Sequence, residues 1–231
     1  MRDAVSGFLR GRVRPLMPRF TRQYNGGVKV KDYSLIDPVL GAEKTFVPDY
    51  EEELIEAIKE IVETGDSIVV VGGGLGVSSV HAYRQSRGRV TSPGKITVFE
   101  GGSQRYWRCK DTLDRNVREV DSGKVSVEHA VVGKSRNVQG FSGSARHVSP
   151  ESLPECDVLV MDCEGSEISI LEGMSIRPDR IVVESHECFE ASAEQLTQVL
   201  EAEGYGVLDI RESESFEISV LTAEYVGGET S

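Results

Sequence analysis

The spacing of apolar positions changes along the chain, and each change marks a different element. Between residues 49 and 65 the apolar residues Leu54, Ile55, Ile58, Ile61 and Val62 recur every three or four positions. This predicts an amphipathic helix that begins at Asp49, carries Glu51, Glu52 and Glu53 in its first turn and ends at Gly65. Before it, residues 28–33 alternate apolar and polar, as a half-buried strand does. From Asp66 onward, short continuous apolar runs alternate with helical stretches. Strands are predicted at 68–71, 95–100, 124–132, 157–162 and 180–185. Helices are predicted at 77–87, 104–116, through 171 and from about 191 to 203. Continuous apolar strands separated by helices indicate an α/β domain with a mostly parallel sheet and helices on both faces. Two last strands, near 205–210 and 216–221, lie too close for a helical crossover and should form an antiparallel hairpin. The expected division is an N-terminal segment, 1–65 (basic arm, short strand and amphipathic helix), and an α/β domain, 66–231.

Composition narrows the function. The 231 residues carry a net charge of −12. Residues 1–31 hold eight Lys/Arg against one Asp, a local +7, so the rest of the chain carries −19. An acidic body repels phosphates, which argues against a nucleic-acid partner. The basic arm, with Phe, Leu, Met and Val among its arginines, either packs on the chain's own acidic body or makes a weak contact with an anionic surface. The longest apolar stretch, 68–77, contains four glycines and is too short to span a bilayer. The arginine-rich start lacks an apolar h-region, and the expectation is a soluble cytoplasmic protein. Cys109, Cys156, Cys163 and Cys188 show no Cys-x-x-Cys spacing, and the four histidines show no His-x-x-x-His pair, so no structural zinc site is expected. The oligomeric state is left open.

Candidate chemistry gathers at strand ends. Residues 69–76, Val-Val-Val-Gly72-Gly73-Gly74-Leu-Gly76, form a strand running into a glycine turn and a helix. Such a turn lets backbone approach a ligand and offers free N–H groups to it, as nucleotide-type cofactor sites require. The dinucleotide fingerprint fails in both registers, and no Gly-Lys-Ser/Thr follows. Glu100 ends the next strand, where a carboxylate can accept both hydroxyls of a ribose, with Gly101 and Gly102 leaving room beside it. Asp162, Glu164 and Glu167 fall within six residues at the tip of a buried strand. Crowding there should raise at least one pKa, useful for a general base or for holding a substrate group. Glu167 could instead serve the first turn of the following helix. The next strand ends in Val-Val-Glu184-Ser-His186, which puts Glu184 and His186 on one face. His186 is then a candidate proton acceptor, oriented by Glu184 or Glu164.

The order of these motifs resembles the FkbM-type S-adenosylmethionine-dependent methyltransferases. The glycine turn at 72–76, the acid at 100, Asp-x-Glu-Gly-x-Glu at 162–167 and Val-Val-Glu-x-His at 182–186 carry the likeness, which spans roughly 66 to 221. It implies a seven-stranded class I methyltransferase (Rossmann-like) sheet with a reversed final strand, and O-methylation of a hydroxyl, often on a sugar or natural product. By that likeness Gly72, Gly73, Gly74 and Gly76 face the methionine end of S-adenosylmethionine, and Glu100 with Gly101 holds the ribose. His129 and Ala130 lie near adenine, and Asp162 and Glu164 line the reacting centre. The sequence departs from the family's pattern at Val70, where an Asp is usual, and at Gly74, often Asn. It departs also at Val160, commonly Lys, and at Gly101, usually Pro.

These expectations combine into methyl transfer to a hydroxyl, or a carboxyl, of a small-molecule or saccharide acceptor such as a sugar or glycolipid. Asp162, Glu164 and His186 form the expected catalytic group, and Glu167, Glu184, Arg136 and Arg146 the acceptor side. The two arginines belong to a polar stretch, 133–154, suited to a phosphate or carboxylate on the acceptor. A divalent metal is not demanded; were one to take part, the 162–167 tip is where hard oxygen ligands occur. Two other classes compete: a non-catalytic module that kept the fold, and a nucleotide-cofactor oxidoreductase on a similar sheet. Cofactor identity and turnover separate the three.

Overall fold

The computed structural model describes residues 17–32, 49–89, 91–133, 145–186, 191–213 and 218–227. The chain divides into two compact units, residues 1–50 and 51–231. The division falls before the amphipathic helix, not at 65/66 as the sequence suggested.

In the first unit, β1 (Phe20–Tyr24) and β2 (Val28–Asp32) pair antiparallel, with Tyr24 opposite Val28. Gly26 and Gly27, at φ 61° and 84°, make the turn. β1 was not expected, because its arginine-rich neighbourhood masked a five-residue strand leading into an Asn-Gly turn. Residues 1–16 of the basic arm lie outside the described residues.

The second unit opens with α1 (Glu52–Ile61), which starts three residues later than expected and buries Leu54, Ile55, Ala57, Ile58 and Ile61. It ends at Val62, ahead of Gly65, and Arg180 fixes that end by donating from Nη1 to the Ile61 carbonyl at 2.8 Å. Strands and helices then alternate: β3 (Ile68–Val71), α2 (Val77–Arg87), β4 (Ile96–Glu100), α3 (Ser103–Asn116) and β5 (Val125–Val132). They continue with β6 (Arg146–Val148), β7 (Val158–Met161), α4 (Glu167–Gly173), β8 (Arg180–His186), α5 (Ala193–Ala202), β9 (Tyr205–Glu212) and β10 (Ile218–Tyr225).

The sheet has eight strands in the order β6-β5-β4-β3-β7-β8-β10-β9. The first six in that order are parallel, and β10 lies antiparallel between β8 and β9. The expected count was seven. The extra strand, β6, pairs with the far edge of β5 through Ala130–Arg146 and Val132–Val148. Its three residues sit inside a Ser/Gly-rich stretch, too short to show a period of their own. A 3₁₀ turn at Pro150–Ser152 follows, so the stretch after residue 145 is not structureless.

Every residue of β3, β4 and β7 is buried, because α1, α2 and α3 pack on one face and α4 and α5 on the other. Val69, Val71, Phe99, Leu159, Met161, Ile181 and Val183 point into the second layer, against Ile170, Leu171, Leu196 and Leu200. Among the described residues, no helix is long and apolar enough to cross a membrane. Leu171 is fully buried on α4, whereas Ile210 on edge strand β9 is 45% exposed. Leu171→Ala is therefore expected to lower stability by about 2–5 kcal/mol and Ile210→Ala by less than about 0.5 kcal/mol, read from urea denaturation midpoints.

Candidate active site

The sheet order reverses at β3, which has β4 on one side and β7 on the other. Beyond the carboxyl ends of these strands a cleft opens, at the place where open α/β sheets bind their ligands. Val71, Gly72, Phe99, Glu100, Gly101, Arg105, Ala130, Val131, Val132, Asp162, Cys163, Glu164 and Ser166 line it.

Backbone crowding explains the first glycine. Gly72 has φ 95°, and a Cβ there would lie 1.7 Å from the Asp162 carbonyl oxygen. Gly73 would meet Val98 Cγ1 at 2.8 Å and Cys109 Sγ at 2.9 Å, and Gly76 the Cys109 carbonyl at 3.1 Å. These three glycines let the β3 turn pass under β7 and α3. Gly74 is the one whose N–H reaches the site carboxylate: it donates to Glu100 Oε2 at 2.8 Å. Gly102 N donates to Glu100 Oε1 at 2.6 Å. Glu100 is thus clamped between the tips of β3 and β4. Burial raises its pKa, against the two backbone hydrogen bonds and the Arg105 and His129 charges that lower it.

Next along the sheet, β5 presents Ala130, Val131 and Val132 as an apolar wall. His129 has another task. Its ring stacks on Tyr106 at 5.1 Å, and Nε2 lies 3.2 Å from the Gly101 carbonyl and 3.3 Å from Ser103 Oγ. It braces the turn after Glu100 and is not part of the cleft lining.

A second constellation gathers where β7 and β8 end. His186 Nε2 lies 3.3 Å from Glu184 Oε1 and 3.5 Å from Asp162 Oδ1, and Nδ1 lies 3.5 Å from Glu167 Oε1. Burial alone would lower the imidazole pKa. The hydrogen bonds with Glu167 and Glu184 and the Asp162 charge outweigh it and raise the pKa to about 10. Asp162 is pushed well above the usual carboxylate range by burial first and by the Glu184 charge second. With nothing else bound, the carboxylates favour the protonated ring, a donor where the sequence suggested a proton acceptor.

Two more of the sequence-predicted residues play different parts. Glu164 meets Arg105 Nη1 at 3.5 Å and holds a left-handed φ of 53°. Glu167 is fully buried and folds back onto its own loop, accepting from Gly165 N at 2.7 Å and Cys163 N at 3.2 Å. Burial raises its pKa, but the His186 hydrogen bond and the backbone N–H groups prevail and lower it. It serves the turn and the ring, not an acceptor. Arg146 pairs with Glu128 on the outer edge of the sheet and is not part of the cleft lining. Arg136 and Lys134 lie outside the described residues. Sequence reasoning missed Arg105. Its signal was a cation in the first turn of α3, where the helix dipole disfavours positive charge.

A family model for the methyltransferase FkbM domain matches residues 82–207. The chain belongs to the FkbM methyltransferase family. No curated protein matches it. Solved structures with the same fold include the ribosomal protein L11 methylase of Lactobacillus delbrueckii subsp. bulgaricus, at 8% identity and a TM-score of 0.54, covering 78% of this chain and 80% of that one. TYW2 of M. jannaschii, solved in complex with AdoMet, is 13% identical with a TM-score of 0.51, covering 90% and 85%. A SAM dependent methyltransferase from Aquifex aeolicus is 15% identical with a TM-score of 0.53, covering 84% and 99%. At such identities the likeness speaks for the fold alone, that of S-adenosylmethionine-dependent methyltransferases.

The FkbM cleft fits that cofactor. An ionised carboxylate has about four acceptor positions, and Gly74 and Gly102 use two of those on Glu100, leaving capacity for ribose hydroxyls. The Ala130–Val132 wall suits an apolar ring face. Glu164→Gly is expected to relieve the left-handed strain and raise stability by roughly 1 kcal/mol. Gly72→Ala should destabilise by several times that amount, because the clash is with backbone. Thermal denaturation of the two variants checks both.

Proposed function

We propose that this chain is an O-methyltransferase that uses S-adenosylmethionine to methylate a hydroxyl of a small molecule, sugar or glycolipid. The observation that carries the reading is Glu100, fixed by Gly74 and Gly102 at the floor of a cleft whose far wall is Asp162. The cofactor supplies a methyl group already activated on a sulfonium.

The protein's main task is then positioning. Glu100 and the glycine turn hold the ribose side. Arg105 and Glu164 bridge the cleft from opposite walls. Asp162 and the groups behind it offer hydrogen-bond acceptors that would orient an incoming acceptor hydroxyl. With the cofactor bound, methyl transfer to oxygen would release the hydroxyl proton, and Asp162 at the cleft is placed to take it. The net charge of −12 favours a small acceptor over a nucleic acid.

The test begins with calorimetric titration of S-adenosylmethionine, S-adenosylhomocysteine and NADH. Binding of the two sulfur ligands alone is expected, with Glu100→Ala weakening both by at least about a hundredfold, the loss of two charge-assisted hydrogen bonds. Binding of NADH alone would reject the reading. An acceptor panel of free saccharides, glycolipids and hydroxylated small molecules, scored by mass spectrometry for one added methyl, follows. Asp162→Asn is expected to lower kcat by about a hundredfold or more with little change in cofactor affinity. An unchanged kcat would remove Asp162 from the reacting centre.

A further inference from the structure

Asp162, Glu184 and His186 each offer one ligand atom, and these atoms all lie within 4.8 Å of one another. We propose that they form a binding site for one divalent first-row transition-metal ion of the Mn²⁺ or Zn²⁺ kind.

The spacing points that way. The His186 Nε2 contacts stand at 3.3 and 3.5 Å. With metal–ligand bonds of about 2.0–2.2 Å, ligands on a tetrahedral ion are roughly 3.3–3.6 Å apart, and the two Nε2 separations fall in that range. A donor set of one imidazole nitrogen and two carboxylate oxygens suits transition ions, whereas Mg²⁺ and Ca²⁺ take oxygen alone.

The surroundings supply a second, independent sign. Ligating histidines almost always give their other ring N–H to a carboxylate, which fixes the tautomer and turns the lone pair to the metal. Glu167 Oε1 faces Nδ1 at 3.5 Å, the outer limit for such a bond, and is fully buried and itself held by the Gly165 and Cys163 N–H groups. Two buried carboxylates, Glu167 and Glu184, and the half-buried Asp162 thus surround one imidazole. A divalent cation would offset the charge excess that burial makes costly. The sequence placed any metal on the 162–167 tip; the geometry instead draws one ligand from β7 and two from β8 and assigns Glu167 to the support.

Asp162 also lines the cleft, so open positions on the ion would face an acceptor's oxygens. That last clause rests on the methyltransferase reading; ion binding does not.

The test is equilibrium dialysis of chelator-treated full-length protein against MnCl₂, ZnCl₂ or MgCl₂, with bound metal measured by inductively coupled plasma mass spectrometry. About one Mn²⁺ or Zn²⁺ per chain is expected, and no stoichiometric Mg²⁺. Glu184→Gln and His186→Gln should each weaken binding at least a hundredfold, and Glu167→Gln about ten- to a hundredfold. Glu172→Gln, an exposed α4 acid, should leave it unchanged. Less than a tenth of an equivalent on wild-type protein, or wild-type affinity in both ligand variants, would overturn the site. Circular dichroism confirms folding of each variant, and if His186→Gln fails to fold, Glu184→Gln decides. S-adenosylhomocysteine titration of the same samples separates the two readings. Protein that binds this ligand but no metal loses the metal site alone; protein that binds metal but not this ligand loses the methyltransferase reading alone.

Discussion

The end of β3 is a fork on which the rest of the molecule depends. The Val71 carbonyl accepts from Asp162 N at 2.9 Å, toward β7, while Gly72 N donates to the Phe99 carbonyl at 2.9 Å, toward β4. One strand end thus holds both neighbours, and beyond it the chain must leave the sheet. Only a glycine can make that exit, because the Asp162 carbonyl occupies the place a Cβ would need. The cleft is the gap this departure opens. Its floor carboxylate, Glu100, then bonds back to the escaping turn through Gly74 and keeps it from closing over the strand ends.

Asp162 belongs to both halves of the site. Its backbone completes the fork, its side chain lines the cleft, and its Oδ1 faces His186. Cofactor side and acceptor side are therefore built on one residue, and movement at the β7 tip would be felt by both. The electrostatics differ sharply across it. Toward β4, Glu100 is satisfied by neutral backbone donors and one nearby cation. Toward β8, carboxylates crowd one imidazole in a buried space, so that side must hold a proton or a cation to stay folded.

The sheet was legible because buried parallel strands read as unbroken apolar runs, and 68–71 and 180–185 came out as strands almost residue for residue. The strand-end acids were legible for the same reason: once strands are placed, their tips are placed. What was hidden depends on contacts between distant segments. β6 has three residues and exists only because β5 offers a free edge. Glu164 and Glu167 are three apart in a single motif, yet a left-handed turn sends the first to Arg105 and the second under the loop. No periodicity encodes that separation. Arg146 looked like an anion binder until its register beside β5 gave it Glu128 as partner.

The two departures inside the sheet are best understood as one. Val70 and Val160, where the family resemblance leads one to expect Asp and Lys, are direct partners in the β3–β7 register, each 1% exposed. An acid and a base at those positions would form a dry ion pair, whose desolvation consumes most of its attraction. Losing one partner would strand a buried charge; replacing both with valine leaves a packed apolar pair and strands nothing. Two valines at these paired positions thus close the core without a buried charge. The groups that could do chemistry, Glu100, Asp162, Glu184 and His186, all lie at or beyond the strand ends, in hydrogen-bonding positions that do not pass through either valine.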